Sequence, residues 1–314
     1  MDRRNFLKDS ALAFIAAHLG GLGLFAKDSS SVNTSEVFSG DDSCVVPGPL
    51  KIRFLGTGAA GWTEKWFGNY HRNHSSILID DHLLIDFNAM AASMIPEGIH
   101  PKTIFYTHSH VDHFNAKDAL ELGIERVFLS NTLMAQATSE FEKAAAETGL
   151  KMPQIIGLNT LRPYRVDGIT FKPLPANHGT NIPGEQALIY LLEKGSARDL
   201  YATDTGVIPA VGAQYAGFDK HCKVHFPLTG LIIESTMGMD HDEDFRMFTH
   251  SSTALVLRTA RMLQHYGLLT LKEDEHVYLT HLSRTLNPTP EELEKNPLPE
   301  PLFTAYDGLE VIFD

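Results

Sequence analysis

The sequence predicts an α+β chain in which two mixed sheets pack face to face and helices cover both outer faces, an αββα sandwich. Three observations predict it. Apolar runs of strand length recur along the chain and some pair as hairpins, while helical periods fall singly between them. With 314 residues, 43% hydrophobic and 21% charged, the chain can also bury a full core. Strands clustered in hairpins with helices interspersed satisfy their apolar faces by stacking in layers.

Residues 1–26 read as an address. Arg3-Arg4-Asn5-Phe6-Leu7-Lys8 precedes a mildly apolar run over 11–26 that is too short and too rich in glycine for a membrane span. The twin arginines resemble a twin-arginine signal peptide, which implies export by the twin-arginine machinery to a bacterial periplasm. Leu24-Phe25-Ala26 is an imperfect cleavage site, and an amphipathic helix with solvated arginines is the competing reading. Residues 27–49, rich in Ser, Asp and Gly, read as a flexible linker, so the folded domain is expected over 50–314.

Lys and Arg total 26 against 39 Asp and Glu, a formal charge of -13, which argues against a generic nucleic-acid or anionic-membrane surface. Cys44 and Cys222 are too few for a Cys-rich zinc cluster or a disulfide scaffold, and whether they pair is open. The 16 histidines are the first hint of metal, because several fall beside Asp or Gly at predicted strand ends.

In order, 51–55 is a strand feeding the glycine-rich loop Gly56-Thr57-Gly58-Ala59-Ala60-Gly61. Residues 76–80 and 82–86 form a hairpin across a tight Asp-Asp turn, and 104–107 is a strand. Further strands are expected at 169–174, 187–192, 199–203, 230–234 and 276–280. Helices are expected at 116–122, 132–148, 252–266 and 290–295.

The chemistry concentrates in His108-Ser109-His110-Val111-Asp112-His113, directly after the strand at 104–107. In extended backbone His108 and His110 point the same way, while Asp112 and His113, on the turn into the next helix, can face a second ion about 3.5–4 Å away. Three histidines and an aspartate in six residues are hard to read as a solvated loop. Imidazole with carboxylate favours zinc or another divalent transition metal, manganese or iron included, over calcium.

Four downstream positions, each at a strand end or helix head, qualify as further site residues: His178, Asp204, His250 and His281. Alone, a histidine at a strand end is ordinarily a hydrogen-bonded structural residue, and an Asp before Thr-Gly is a turn former. Beside the cluster, their order acquires meaning.

The cluster and these four motifs, in this order, resemble the metallo-β-lactamase superfamily. Phe54-Leu55-Gly56-Thr57-Gly58-Ala59, Leu84-Ile85-Asp86, Tyr201-Ala202-Thr203-Asp204-Thr205, Ile233-Glu234-Ser235-Thr236 and His250 are most similar to the branch holding ribonuclease Z and the cyclic-phosphate phosphodiesterases. The resemblance implies a metallo-β-lactamase fold and two divalent metals. One would be held by His108, His110 and His178, the other by Asp112, His113 and His281, with Asp204 bridging. Asp86 would orient a ligand imidazole.

It further implies hydrolysis by a metal-bridging hydroxide, formed because bound water has its pKa lowered towards about 7. Asp112 and Asp204 would serve that centre and His250 would act as general acid, unless His250 is merely a neighbour of the capping Ser251 or Ser252. Arg72-Asn73-His74-Ser75 is a candidate for substrate contacts, against a plain solvated loop.

The chain lacks the long inserted arm of ribonuclease Z, any basic patch to replace it, and the Cys-rich zinc loop of some cyclic-phosphate enzymes. The expected function is therefore a phosphodiesterase on a small phosphodiester or cyclic nucleotide, with a small-molecule substrate and no nucleic acid. The alternatives are a lactonase or other carboxyl-ester hydrolase on the same scaffold, and a non-catalytic ligand-binding protein. A homodimer is left open.

Overall fold

The computed structural model describes residues 47–63, 70–218 and 226–314. The expected signal peptide at 1–26, all but the last residues of the linker at 27–49, and both Cys44 and Cys222 lie outside the described residues. Among the described residues no helix is long and apolar enough to cross a membrane.

Among the described residues, fourteen strands build two sheets of seven. In chain order, the first sheet takes β1 (Leu50–Gly56), β2 (Ser76–Ile79), β3 (Leu83–Ile85), β4 (Thr103–Phe105), β5 (Arg126–Ser130) and β6 (Gln154–Leu158). The second takes β7 (Tyr164–Val166), β8 (Ile169–Pro175), β9 (Leu188–Lys194), β10 (Ala197–Ala202), β11 (Gly230–Glu234), β12 (Val277–Thr280) and β13 (Leu302–Thr304). The last strand, β14 (Glu310–Phe313), returns to the first sheet beside β1, giving the orders β14-β1-β2-β3-β4-β5-β6 and β13-β12-β11-β10-β9-β8-β7. The helices are α1 (Ala116–Leu122), α2 (Met134–Thr148), α3 (Ala210–Tyr215), α4 (Thr253–His265) and α5 (Pro290–Lys295).

Alternation along the strands sorts side chains into three apolar layers. Leu83 and Ile85 of β3 point to the central layer between the sheets while Leu84 points outward; on β9, Leu188, Tyr190 and Leu192 point in while Ile189 and Leu191 point out. Phe105 of β4 stacks on Phe171 of β8 across the middle, ring centroids 3.8 Å apart. The outer layers are closed by helices with apolar residues at i, i+4 and i+7: Ala137, Phe141 and Ala144 on α2, Val256, Ala260 and Leu263 on α4. The Asn115 side chain caps α1 by accepting from Asp118 N, and Ser252 caps α4 by accepting from Leu255 N.

The expected elements are all present with ends shifted by at most two residues. β5, β6, β7, β13, β14, α3 and the 3-10 turns at Ala89–Met94 and Phe245–Phe248 are additional. β7 and β13 have three residues each, too few to show a period. The glycine-rich loop after β1 has a packing role. Gly58 makes bridges to His74 and Leu282, and a Cβ there would lie 3.0 Å from Asn73 O, so glycine is needed where three backbone segments meet.

Candidate metal centre

Parallel strands align their C-terminal ends, and at that edge the two sheets open together. Asp86 follows β3, Thr107 and His108 follow β4, Asp204 follows β10, Glu234 ends β11 and His281 follows β12. His178 arrives from the loop after β8. The floor is stitched across the sheets: Leu188 N donates to Thr107 O at 2.9 Å and Tyr190 Oη to Tyr106 O at 2.6 Å. Three of these residues take left-handed backbone, Asp86 at φ 56°, Asp204 at 44° and His281 at 51°. That conformation costs about 1–3 kcal/mol for a non-glycine residue and turns each side chain off its strand into the site.

The seven proposed ligands fall into two groups whose donor atoms converge. His108, His110 and His178 form one; Asp112, His113, Asp204 and His281 form the other. His108 Nε2 lies 3.0 Å from His110 Nδ1, and His178 Nε2 lies 3.2 Å from the same atom. In the second group His113 Nε2 and His281 Nε2 are 3.2 Å apart, with Asp112 Oδ2 3.2 Å from the former and 3.4 Å from the latter.

The partners of the outer nitrogens assign the tautomers. His113 Nδ1 donates to Asp86 Oδ2 (2.8 Å), His178 Nδ1 to Thr249 O (3.1 Å) and His281 Nδ1 to Thr236 Oγ1 (2.9 Å). The Thr107 hydroxyl donates to Asp86 Oδ2 (2.7 Å) and therefore accepts from His108 Nδ1 (3.0 Å). Four imidazoles thus turn an Nε2 lone pair inward, and the 3.2 Å approach of His113 to His281 sets two of these lone pairs facing each other.

Such an arrangement fits divalent cations. Asp204 Oδ2 is buried without a hydrogen-bond partner, although His113 Nε2 is 2.6 Å away, His281 Nε2 3.1 Å and His108 Nε2 3.6 Å. It lies between the two groups, where a bridging carboxylate would sit. The charges agree: burial works against protonation of His113, yet Asp112, Asp204 and Asp86 around it raise its pKa well above the ordinary histidine value. Burial works to raise the Asp204 carboxyl, but His281 and His113 hold it well below the usual carboxylate range. The site therefore demands positive charge. Burial keeps His108 and His178 below the ordinary histidine range, hence neutral and able to ligate.

A second layer holds these side chains, and most of it escapes sequence reading. Asp86, expected as an orienting carboxylate, also accepts from Thr107 N at 2.8 Å. Glu185, on the loop between β8 and β9, clamps the cluster by accepting from Ser109 N (2.8 Å) and Ser109 Oγ (2.5 Å). Asn88 Nδ2 donates to Asp112 O at 2.9 Å. Glu234 accepts from Thr205 N (2.8 Å) through Oε1 and from the Thr236 hydroxyl through Oε2, so it supports both the Asp204 turn and, through Thr236, His281. No periodicity marks these residues; only the motif Ile233-Glu234-Ser235-Thr236 could have pointed to one.

His250 stands at the rim, two residues before the α4 cap. Its ring is 17% exposed, with Nδ1 3.1 Å from Glu234 Oε1 and 3.3 Å from Asp204 Oδ1. Burial opposes its protonation, but Glu234 and then Asp204 prevail and raise its pKa to about 9. Capping and the site contact coexist, since Ser252 rather than His250 caps the helix. His110, His178 and His250 are half-buried, whereas every member of the second group is buried, so the open face lies on the first group's side.

The expectation for Arg72-Asn73-His74-Ser75 is corrected. Arg72 is buried and donates to Thr57 Oγ1 (2.6 Å) and Ala305 O (2.7 Å); Asn73 Nδ2 donates to Leu55 O (3.0 Å) and its backbone N to Asp307 Oδ2 (2.6 Å). The segment is neither a solvated loop nor turned to substrate. It braces β1 against the C-terminal strands, because a buried guanidinium needs acceptors on every side.

Two seven-stranded mixed sheets under helices, with candidate metal ligands gathered at the strand ends, define a metallo-β-lactamase-fold hydrolase. The profile of the beta-lactamase superfamily domain matches residues 92–282, and the chain belongs to that family. Among solved structures it is similar to a diphosphatase of the PhnP family (20% identity, TM-score 0.57, covering 85% of this chain and 98% of that one). It is also similar to the metallo-beta-lactamase fold protein YhfI from Bacillus subtilis (16%, TM-score 0.59, 84% and 99%) and to human tRNase Z, short form (14%, TM-score 0.55, 83% and 98%). Comparison with curated proteins finds no match.

Proposed function

We propose that the protein is a binuclear metal-dependent phosphodiesterase acting on a small phosphodiester, with zinc as the resident metal and export by the twin-arginine route. The observation that carries the reading is His250. It approaches the centre from the open face, while its Nδ1 is occupied by Glu234. A carboxylate on Nδ1 is equally compatible with a ligand, and His250 also stands in two further donor groups, with His178 and Asp204 and with Glu234 and His281. Its place at the rim and the pKa of about 9 that Glu234 and then Asp204 give it favour the proton donor. Two of the structural relatives, the diphosphatase and the tRNase, are by name enzymes of phosphorus–oxygen bonds, which supports the same class. The imidazole-rich donor set supports zinc.

Divalent ions in the two donor sets supply Lewis acidity and an activated water near neutral pH. The chain's residues do the rest. His108, His110 and His178 would hold one ion and Asp112, His113 and His281 the other, with Asp204 placed beside both groups. Asp86 and Thr236 hold the protons on His113 Nδ1 and His281 Nδ1, leaving each Nε2 to ligate. Glu234 keeps His250 protonated, and His250 Nε2 delivers that proton to the leaving oxygen as the phosphorus–oxygen bond breaks.

The test compares His250→Ala with the parent protein on two diesters. Loss of the general acid should cost about 10²–10⁴-fold on an alkyl ester, whose alkoxide needs a proton, and far less on a nitrophenyl ester. Equal losses on both, or turnover of lactones alone, would overturn the reading.

A further inference from the structure

Exposed apolar residues stand in the two segments that lead into the open face of the centre. After Asp204 the chain runs through Thr205 and Gly206 to Val207, which is 59% exposed; before His250 it runs through Met247 and Phe248, 43% and 72% exposed. The two segments lie side by side: a Cβ on Gly206 would come within 2.8 Å of Met247 O, and Ser251 Oγ donates to Thr205 O at 3.0 Å. Thr249, between Phe248 and His250, gives its carbonyl to His178 Nδ1. Exposed apolar residues are thus attached at both ends to ligands and to the proton donor.

Charge narrows what can lie there. Residues 203–217 and 232–258 contain only two Lys or Arg, Arg246, which pairs with Asp244 at 3.5 Å, and Arg258, which pairs with Asp242 at 3.9 Å, against the four acids of 240–244. Asp240, Asp242, Glu243 and Asp244 precede the apolar segment. A leaving group bearing phosphates would meet carboxylates here, whereas an uncharged apolar one would remove Val207, Met247 and Phe248 from water. The position beside His250 marks the leaving-group side.

We infer that the substrate carries an uncharged aryl or alkyl group on its leaving-group oxygen, which lies against Val207, Met247 and Phe248. The inference rests on the phosphodiesterase reading and narrows its substrate class.

The test measures binding, by calorimetry on the metal-reconstituted full chain, of phenylphosphonate and methylphosphonate, which differ in the apolar group alone. Phenylphosphonate should bind about tenfold more tightly, as expected for partial burial of one ring. Phe248→Ser and Met247→Ser should each shrink that preference while leaving methylphosphonate affinity in place. Ile312→Ser, which removes an exposed apolar side chain on the edge strand β14, should leave it unchanged. Equal affinities, no binding of either ligand, or a preference surviving both variants would overturn the inference. It is overturned equally if the variants change only self-association in sedimentation or adhesion to lipid vesicles. A preference seen without diester turnover would sink the phosphodiesterase reading alone; turnover without preference would sink the apolar group alone.

Discussion

The two sheets share one pattern of pairing. Read from β14, the first makes three antiparallel pairings and then three parallel ones, changing at β3; read from β7, the second does the same, changing at β10. Just beyond each switching strand stands an aspartate in left-handed backbone, Asp86 in one sheet and Asp204 in the other. Both lie outside the carboxyl ends of parallel strands, where open sheets bind ligands. Their surroundings separate the two acids. Asp86 is saturated by Thr107 and His113, so it orients, while Asp204 keeps a buried oxygen without a hydrogen-bond partner among three imidazoles, so it is placed to bridge. Topology located both carboxylates, and neighbours decided their work.

The strongest challenge to this contrast is Asp204→Ala. It should lower diester turnover by about a thousandfold or more and reduce bound metal below two ions per chain by elemental analysis. Full occupancy with near-normal turnover would show that the two aspartates are not differentiated.

Next in size is a pair of orienting carboxylates, one from each sheet. Asp86→Asn and Glu234→Gln should each cost about 10–100-fold. The Asp86 loss should be recovered by excess metal, because Asp86 acts through the ligand His113. The Glu234 loss should persist in kcat at saturating metal, because Glu234 also holds His250. Metal titrations of activity distinguish the two, and recovery of both would remove the asymmetry.

A smaller effect is expected at Glu185. Glu185→Gln keeps one acceptor for Ser109 and removes the charge, so metal affinity in a chelator competition should fall by about tenfold. No change would make the clamp incidental.

A last contrast sets Asp199, within β10, against Asp204 just beyond it and concerns stability alone. Asp199, at the buried start of the region that ends in Asp204, has Thr229 Oγ1 as a hydrogen-bond donor and no cation; burial raises its pKa from 3.8 to about 8. The folded protein therefore keeps a proton that the unfolded chain releases. Stability should be complete below the unfolded value and fall by at most about 1.4 kcal/mol per pH unit up to about pH 8. Asp199→Asn should flatten that decline in denaturant melts. An unaltered pH profile would show that another group causes it.

The first sheet's contribution to the site was legible in sequence, because His108, His110, Asp112 and His113 come from one loop and concentrate ligands beyond any solvated turn. Most strands longer than three residues that alternate or run between clear breakers are also legible, the exception among alternating ones being the four-residue β14. β5 and β6 are not legible although Val127, Phe128 and Leu129 are buried, since short apolar runs following helices carry no period of their own. The second sheet's ligands were found by order and family likeness, being single residues separated by tens of positions.

The sequence by itself determined the layered fold and singled out the cluster at His108, His110, Asp112 and His113, because hydrophobic period and the clustering of ligand-type residues are local properties; His178, Asp204 and His281 were assigned as ligands only through likeness to the family. Only the tertiary structure decided which nitrogen of each histidine faces inward and that Glu234 and Glu185 support the centre. It also turned Arg72 and Asn73 into a buried brace and left Val207, Met247 and Phe248 at the rim. Those facts depend on which strand ends meet across two sheets, and pairing between distant strands is recorded in no single stretch of sequence.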